Sequence, residues 1–272
     1  MAVDYVHGYS DHEARRLGDQ ADTLAGLLHE GTAYPPGSRV LEAGCGVGAQ
    51  TAHLLARSPG IDLTALDRSA VSLRRARERV AAAAPGARVR WCRADLFDPP
   101  FPDAAFDHVF VCFVLEHVAD PRGALAALAR VLRPGGTLTV IEGDHGSAVF
   151  HPPSPRAEAV VAAQARLQAA AGGDALIGRR LQPLLAGAGF AEVAVRPRTV
   201  YADATRPALV NGFVRGTFTP VMAAVREPVL AEGRLSAAEF DGGVADLLRT
   251  AEDGGTFHYT FFKAVARAPR RG

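Results

Sequence analysis

Apolar positions follow two rhythms along this chain. From residue 39 to about residue 141, short apolar runs without strict alternation are separated by stretches with helical spacing. Such runs bury both faces, which predicts strands of a parallel sheet with helices on either side. The strands fall at residues 39–41, 61–66, 89–92, 106–112 and 138–141, and the helices at 69–84 and 121–132. Ser69 is placed to cap the first of these helices, and Pro85-Gly86 to stop it. Ahead of this core, Leu17, Ala21, Leu24 and Leu28 recur at helical spacing behind Ser10-Asp11-His12-Glu13. That pattern is a capping box, with Ser10 as cap and Glu13 reaching back, and Gly31 can end the helix. Residues 1–8 carry no periodicity.

After Glu142 the rhythm changes. Pro152, Pro153 and Pro155 break the chain, an alanine-rich helix is expected over 156–171, and Gly172-Gly173 ends it. A helix over 178–188, a strand over 191–201, helices over 207–232 and 236–253, and a last strand over 256–266 complete the series. The expectation is an α/β fold: a Rossmann-like, seven-stranded, mostly parallel sheet with helices on both faces. Residues 1–272 read as one domain, with 1–36 as an N-terminal lid and 148–180 and 205–253 as helical cap insertions over a pocket mouth. The alternative is that the extra helices only thicken the fold.

Composition narrows the partners. With 272 residues, 48% of them hydrophobic, the chain has enough apolar side chains for a sizeable core. The formal net charge is +1 and no basic run stands out, so nucleic acid is not an expected partner. No apolar run suggests a bilayer span and no signal-peptide layout is visible, which reads as a cytoplasmic protein without a membrane partner. Cys45, Cys92 and Cys112 lack metal-ligand spacing and read as reduced thiols, and no metal is expected. A homodimer is compatible with the sequence.

The chemistry concentrates in Val40–Gly48, VLEAGCGVG, where a buried strand ends in an acid and breaks into a glycine turn. Gly44, Gly46 and Gly48 permit a sharp turn and let a ligand lie against the backbone. The run Gly44 to Ala49 also fits the glycine pattern of dinucleotide-binding folds. Three acids weigh against that reading. Glu42 would face a pyrophosphate, Asp67 in TALDRS closes the second strand, and Asp95 in CRADLF closes the third. An acid in the second position suits the ribose of either cofactor. Acids after three successive strands, followed by the LRPGG turn, resemble the class I S-adenosylmethionine (SAM) methyltransferases.

That resemblance covers residues 39–142 at the level of the type 11 methyltransferases, which include ubiquinone and menaquinone C-methyltransferases. A finer resemblance extends over most of the chain through FVCFVLEH, VIEGDHGS and TFHYTFFK, together with the N-terminal segment HGYSDHEARRLGDQADTLAGLLHEG. These elements look like bacterial indole C3-methyltransferases acting on tryptophan-derived cyclic dipeptides. The resemblance implies SAM as cofactor, S-adenosylhomocysteine as product and a small aromatic substrate. C3 attacks the methyl, the indole nitrogen loses its proton, and an amide nitrogen closes onto C2 to give a pyrroloindoline. The alternatives are O-, N- or C-methylation of a phenolic or quinone-like metabolite, a NAD-dependent oxidoreductase, or a SAM-binding protein without turnover.

The family order of strands, 3-2-1-4-5-7-6, is carried over by analogy, with ligands at the strands' carboxyl ends. Gly44, Cys45, Gly46 and Gly48 are expected along the methionine portion, with Glu42 beside it. Asp67 and Arg68 are expected at the ribose, Asp95 and Leu96 at the adenine, and Cys112 at the ammonium. Gln20 and Tyr9 can reach the carboxylate, or be a surface glutamine and a packing tyrosine. His117, in Val114-Leu115-Glu116-His117, is the first candidate base, or merely a residue that closes its loop, and Tyr9 is the second. Asp144 and His145 are a further pair, or simply turn residues. Tyr5, Phe113 and Glu116 complete the expected substrate pocket, with Phe150 and Phe213 as possible wall or core.

Overall fold

The computed structural model describes residues 11–269; Tyr5, Tyr9 and the proposed cap Ser10 lie outside that range. The chain opens with α1 (Asp11–Leu28), whose Leu24 and Leu28 are fully buried. Glu13 accepts from Arg16 Nη2 at 2.7 Å and Nε at 2.8 Å. Then follow β1 (Arg39–Ala43), α2 (Ala49–Arg57), β2 (Asp62–Asp67), α3 (Ala70–Ala83), β3 (Val89–Arg93) and β4 (Phe106–Cys112). Ser69 caps α3 as expected, accepting the Ser72 amide at 3.1 Å. A short 3-10 turn, Leu115–His117, leads to α4 (Pro121–Val131) and the long β5 (Leu132–His151).

Next come α5 (Pro155–Ala170), a 3-10 turn Ile177–Arg180, α6 (Leu181–Gly187) and β6 (Ala191–Ala202). The helix expected over 207–232 is divided into α7 (Pro207–Leu209), a π-helical segment Val210–Phe218, α8 (Thr219–Ala223) and α9 (Arg226–Ala231). By length and composition Pro207–Ala231 is apolar enough to span a bilayer, with a mean hydropathy of 1.2 over an 18-residue window, although it holds no run of eighteen apolar residues. Here its apolar side chains pack inward: Phe213, Val214, Phe218 and Met222 are all buried. The chain ends with α10 (Ala237–Arg249) and β7 (Thr256–Arg267).

The strands join in one sheet in the order β3-β2-β1-β4-β5-β7-β6, as expected. Neighbours up to β5 run parallel, and β7 is antiparallel to both β5 and β6. Successive side chains on a strand point to opposite faces. Val40 and Phe110 therefore join Leu24, Leu54 and Phe213 in one core, while Leu41, Val109 and Val111 join Leu125, Leu128 and Leu181 in another. Burial on both faces is what the unalternating apolar runs required.

β5 is longer than the sequence suggested because two loops interrupt its pairing. Phe106 pairs with Leu132 but His108 with Thr137, so residues 133–136 loop out at the expected LRPGG turn. On the other edge Asp144 pairs with Thr260 and Val149 with His258, leaving residues 145–148 as a second bulge. Such a bulge re-aims side chains beside a site. The last helix, α10, packs on α5 through Asp246, which accepts from Ser154 at 2.6 Å and from Arg156 at 3.0 Å. Among the described residues, none of α9 or α10 lines the cavity described next.

Candidate functional site

A cavity of about 620 Å³ opens at the carboxyl ends of β1, β2, β3, β4 and β5, within the usual size range of small-molecule sites. Its floor is the glycine turn. Gly44 and Cys45 both donate their amides to the Leu66 carbonyl, at 2.8 and 2.9 Å. Gly46 donates its amide to Asp67 Oδ2 at 2.9 Å, and Ser69 donates to Oδ1 at 2.8 Å. The turn is thereby bolted to the end of β2. Gly46 adopts φ +53°, and a Cβ built there would meet nothing within 4 Å. The backbone thus lies open to a ligand.

Most of the residues picked from the sequence converge here. Glu42, Gly44, Cys45, Gly46, Asp67, Arg68, Asp95, Leu96, Cys112, Phe113, Glu116, His117, His145 and Gln20 all line this cavity. Two do not. Gly48 points away: at φ +75°, a Cβ there would lie 2.9 Å from Ala76, so this glycine serves the close packing of α2 on α3. Asp144 is turned out of the cavity and gripped by Arg179, accepting from Nε at 2.8 Å and Nη2 at 2.7 Å. Phe150 likewise stacks on Phe257, with ring centroids 6.1 Å apart, outside the cavity wall.

The cavity is rich in carboxyl groups held out of water. Burial lifts Glu42 to about 8, against the Thr51 hydroxyl that it accepts at 2.6 Å, and Asp67 adds to the rise. Burial also raises Asp67 itself, opposed by the Ser69 and Gly46 amides. The Cys45 and Cys112 thiols stay protonated because burial and neighbouring acids push both well up. A pyrophosphate here would face Glu42 and Asp67 together. A cation would relieve both.

Behind β4 the chain turns through Phe113, a non-glycine residue at φ +57°, which is a strained conformation for a bulky side chain. Glu142, just past the stretch of β5 paired with β4, captures the next turn: its Oε1 accepts Val114 N–H at 3.1 Å and Leu115 N–H at 2.8 Å. This fixes the 3-10 turn that carries Glu116 and His117. Burial and the Glu116 charge push the Glu142 carboxyl well up. His117 Nε2 lies 3.5 Å from Glu116 Oε1. Burial lowers the imidazole to about 4, with Glu13 raising it and Arg16 lowering it. His117 is therefore neutral at neutral pH.

Sequence reasoning missed six contributors, Phe218 among them. Arg16, 8% exposed, lines the cavity from α1 and donates to Gln20 Oε1 at 2.9 Å, bringing a positive charge beside Gln20. Its spacing from Gln20 was the available signal. Glu142 was read only as a strand end. Gln168 of α5 donates to the Glu116 carbonyl at 2.9 Å and also lines the cavity. Tyr259 and Phe261 of β7 were quoted in TFHYTFFK without a role. With Phe113, Phe213 and Phe218 they form an aromatic wall, with neighbouring ring centroids 4.7 to 6.2 Å apart.

Residues 41–140 match the methyltransferase domain family. Over these residues, 100 of the 272, the chain resembles a methyltransferase domain. The 27-O-demethylrifamycin SV methyltransferase of Amycolatopsis mediterranei is 36% identical over 138 residues, 49% of this chain and 49% of that protein. The demethylmenaquinone methyltransferase of Thermus thermophilus is 40% identical over 104 residues, 38% of this chain and 46% of that protein. The chain spans about half the length of these curated relatives. The solved structure of the 4+2 cyclase SpnF superposes with a TM-score of 0.58 at 23% identity, covering 92% of this chain and 81% of that one. The architecture is thus the Rossmann-like methyltransferase fold, and SAM is the cofactor that domain family and fold indicate. The open glycine turn between buried Glu42 and Asp67 fits its cationic methionine portion. Asp67 retains lone pairs for ribose hydroxyls beyond the two amides it accepts.

Proposed function

We propose that this protein transfers a methyl group from SAM to a small aromatic acceptor, by C-methylation at C3 of an indole in a tryptophan-containing cyclic dipeptide, in natural-product biosynthesis. The observation that carries this reading is the composition of the cavity. One end is the glycine turn with Glu42, Asp67 and Asp95; the other is the wall of Phe113, Phe213, Phe218, Tyr259 and Phe261. Stacked and edge-on rings at these spacings favour a planar aromatic guest.

Bound at the first end, SAM supplies an electrophilic methyl on a sulfonium. The chain's own residues then have three tasks: hold the acceptor's ring in line, exclude water, and receive one proton. The aromatic wall does the first two. The proton released from the acceptor's ring nitrogen passes to the neutral His117 imidazole, whose charge Glu13 and Glu116 then offset. Asp95 and Leu96 hold the adenine, and Arg16 with Gln20 takes the cofactor carboxylate.

A second reading has one specific observation behind it. The matched residues 41–140 supply the cofactor end, whereas Phe213, Phe218, Tyr259 and Phe261 lie beyond them. The likeness to a menaquinone methyltransferase therefore favours a phenolic or quinone-like acceptor equally at that level. Fold likeness alone does not choose the reaction, since one neighbour with this fold is a cyclase.

The test is a mass-spectrometric and absorbance assay with SAM and the cyclic dipeptide of two tryptophans. A gain of one methyl with loss of indole absorbance is the expected outcome. Methylation with the indole chromophore retained moves the transfer to nitrogen or another carbon. No methylation, in a protein that binds S-adenosylhomocysteine, turns the reading to phenols and quinones.

A further inference from the structure

The last strand carries a polar group that the methyl-transfer scheme leaves idle. Tyr259 is 2% exposed, faces the acceptor end of the cavity, and its hydroxyl lies 3.0 Å from His145 Nδ1. Gly143 makes the space, since a Cβ there would stand 2.5 Å from the Tyr259 oxygen. His145 is delivered by the bulge of residues 145–148, which is held from several sides. Arg179 grips Asp144, the Ser147 hydroxyl donates to the Asp144 carbonyl at 2.7 Å, and Thr260 N–H donates to Ser147 Oγ at 2.8 Å. The His145 amide donates to the Ala175 carbonyl at 2.9 Å. Such a bulge pre-positions the imidazole before any ligand arrives.

The surroundings bear on the direction of the Tyr259–His145 bond. Burial, with the charges of Glu116, Asp144 and Glu142 nearby, pushes the Tyr259 phenol well above its ordinary value. It keeps its proton at neutral pH, so its O–H is available to donate to Nδ1 across the 3.0 Å contact, which is the arrangement the proposal takes. Nδ1 is then an acceptor, and in the neutral ring the proton sits on Nε2.

Resting on the methyl-transfer reading of this cavity, we propose that Tyr259 is a positioning residue that holds His145 as its Nε2–H tautomer, and that this N–H reads a carbonyl oxygen on the aromatic acceptor. The ring of that acceptor lies among Phe213, Phe218 and Phe261, and the carbonyl beside it meets His145. No bond is made or broken at His145, and the proton released by the reaction goes elsewhere. The acceptor class is an aromatic ring carrying a nearby amide or quinone carbonyl. Plain aromatic hydrocarbons and simple indoles are excluded as good substrates.

The experiment is nitrogen-15 NMR of the histidine rings in the full-length protein with S-adenosylhomocysteine bound, with His145 assigned by its loss in His145→Gln. The expected spectrum of His145 is a neutral ring with Nδ1 unprotonated, and Tyr259→Phe should mix the tautomers. Adding the cyclic dipeptide of two tryptophans should shift the Nε2 resonance, whereas indole alone should not. In turnover, Tyr259→Phe should lower kcat/KM for the dipeptide about 10- to 100-fold, the loss of one to two hydrogen-bond equivalents, and leave S-adenosylhomocysteine affinity within about 2-fold. Should Tyr259→Phe fail to fold, Gly143→Ala displaces the hydroxyl and should mix the tautomers in the same way. A proton on Nδ1 in the wild type, an unchanged spectrum in Tyr259→Phe, or no Nε2 shift with the dipeptide would overturn the proposal. These spectra need no turnover, so a protein that binds the dipeptide at His145 without methylating it counts against the reaction and not against this contact.

Discussion

Thr51 donates its hydroxyl to Glu42 across 2.6 Å, tying the first turn of α2 to the end of β1 beneath the cavity. Glu42 is 3% exposed, and burial lifts its carboxyl to about 8, so the ligand-free protein holds it protonated at neutral pH. A cationic ligand favours the ionised form, which lowers that pKa and expels a proton on binding. SAM affinity is therefore expected to rise with pH up to about 8. Calorimetry near neutral pH, in buffers of different ionisation heats, should show proton release in the wild type and none in Glu42→Gln. Equal heats in every buffer for the wild type would place the cofactor's charge away from Glu42.

Asp67 has two tasks, and variants separate them. Its oxygens hold the Gly46 and Ser69 amides, and its remaining lone pairs face the cavity. Asp67→Ala should weaken S-adenosylhomocysteine by about 10-fold or more and lower stability by about 1–3 kcal/mol, since two amides lose their acceptor. Asp67→Asn keeps one acceptor oxygen and should recover part of the stability but less of the affinity. An alanine variant with unchanged affinity by titration calorimetry would remove Asp67 from the ribose.

The strands and the cofactor end were legible because both are written locally, whereas the sheet order came only with the family resemblance. Unalternating runs such as Val109–Val111 state burial on two faces, and an acid closing β1, β2 or β3 must lie at the same edge of a parallel sheet. The acceptor end was not legible, because it is assembled from distant segments. Phe213 meets Tyr259 and Phe261 only through β7 lying beside β5, and nothing near Phe150 in sequence distinguishes it from Phe213. Asp144 and His145 are adjacent in the chain, yet a bulge sends one to Arg179 and the other to Tyr259. Gly48 misled for a related reason: its glycine spacing is shared with Gly44 and Gly46, while its neighbour Ala76 belongs to the next helix.

Gly48→Ala tests that reassignment. The substitution puts a methyl 2.9 Å from both Cα and Cβ of Ala76 and forces alanine to φ +75°. The cost should be about 1–3 kcal/mol in urea unfolding, as for other overpacked or left-handed positions. Adding Ala76→Gly should relieve at most the Cβ contact, since the Ala76 Cα stays 2.9 Å from the new methyl, and should leave the part due to φ. A variant with wild-type stability and weakened S-adenosylhomocysteine binding would return Gly48 to the cofactor.

His29 gives the stability an acid-sensitive component. It is fully buried, stacked on Phe110 at 5.4 Å, and its Nε2 pairs with Gln50 at 2.7 Å. Burial lowers it from 6.5 to about 4. The unfolded chain then binds more protons between those values, so this contribution is complete above pH 6.5 and is lost as pH falls toward about 4. Glu42 acts with opposite sign, its contribution falling as pH rises from 4.5 through about 8. The His29 share is isolated by the difference between wild type and His29→Phe, which should shrink by about 2–3 kcal/mol on acidification over that range. A difference independent of pH would mean that His29 titrates alike in both states.

His117 is the group whose chemistry a pH profile can recognise. An ordinary histidine base loses activity as pH falls through its usual 6.5, but this ring is lowered to about 4 by burial. If it receives the acceptor's proton, kcat/KM for the acceptor, measured at saturating SAM, should stay flat through the mildly acidic range and fall only toward about 4. The low value makes His117 a weak resting base. Its competence comes from Glu116 at 3.5 Å and Glu13, which offset the charge once it forms. His117→Ala should leave S-adenosylhomocysteine affinity within about 2-fold and slow turnover by about 100-fold or more, the usual size of a lost general base. Glu142→Gln still presents an amide oxygen to the Val114 and Leu115 amides, and should preserve the turn and most of the rate. Undiminished turnover in His117→Ala would take the imidazole out of the mechanism and leave Glu116 as the nearest proton acceptor on that turn.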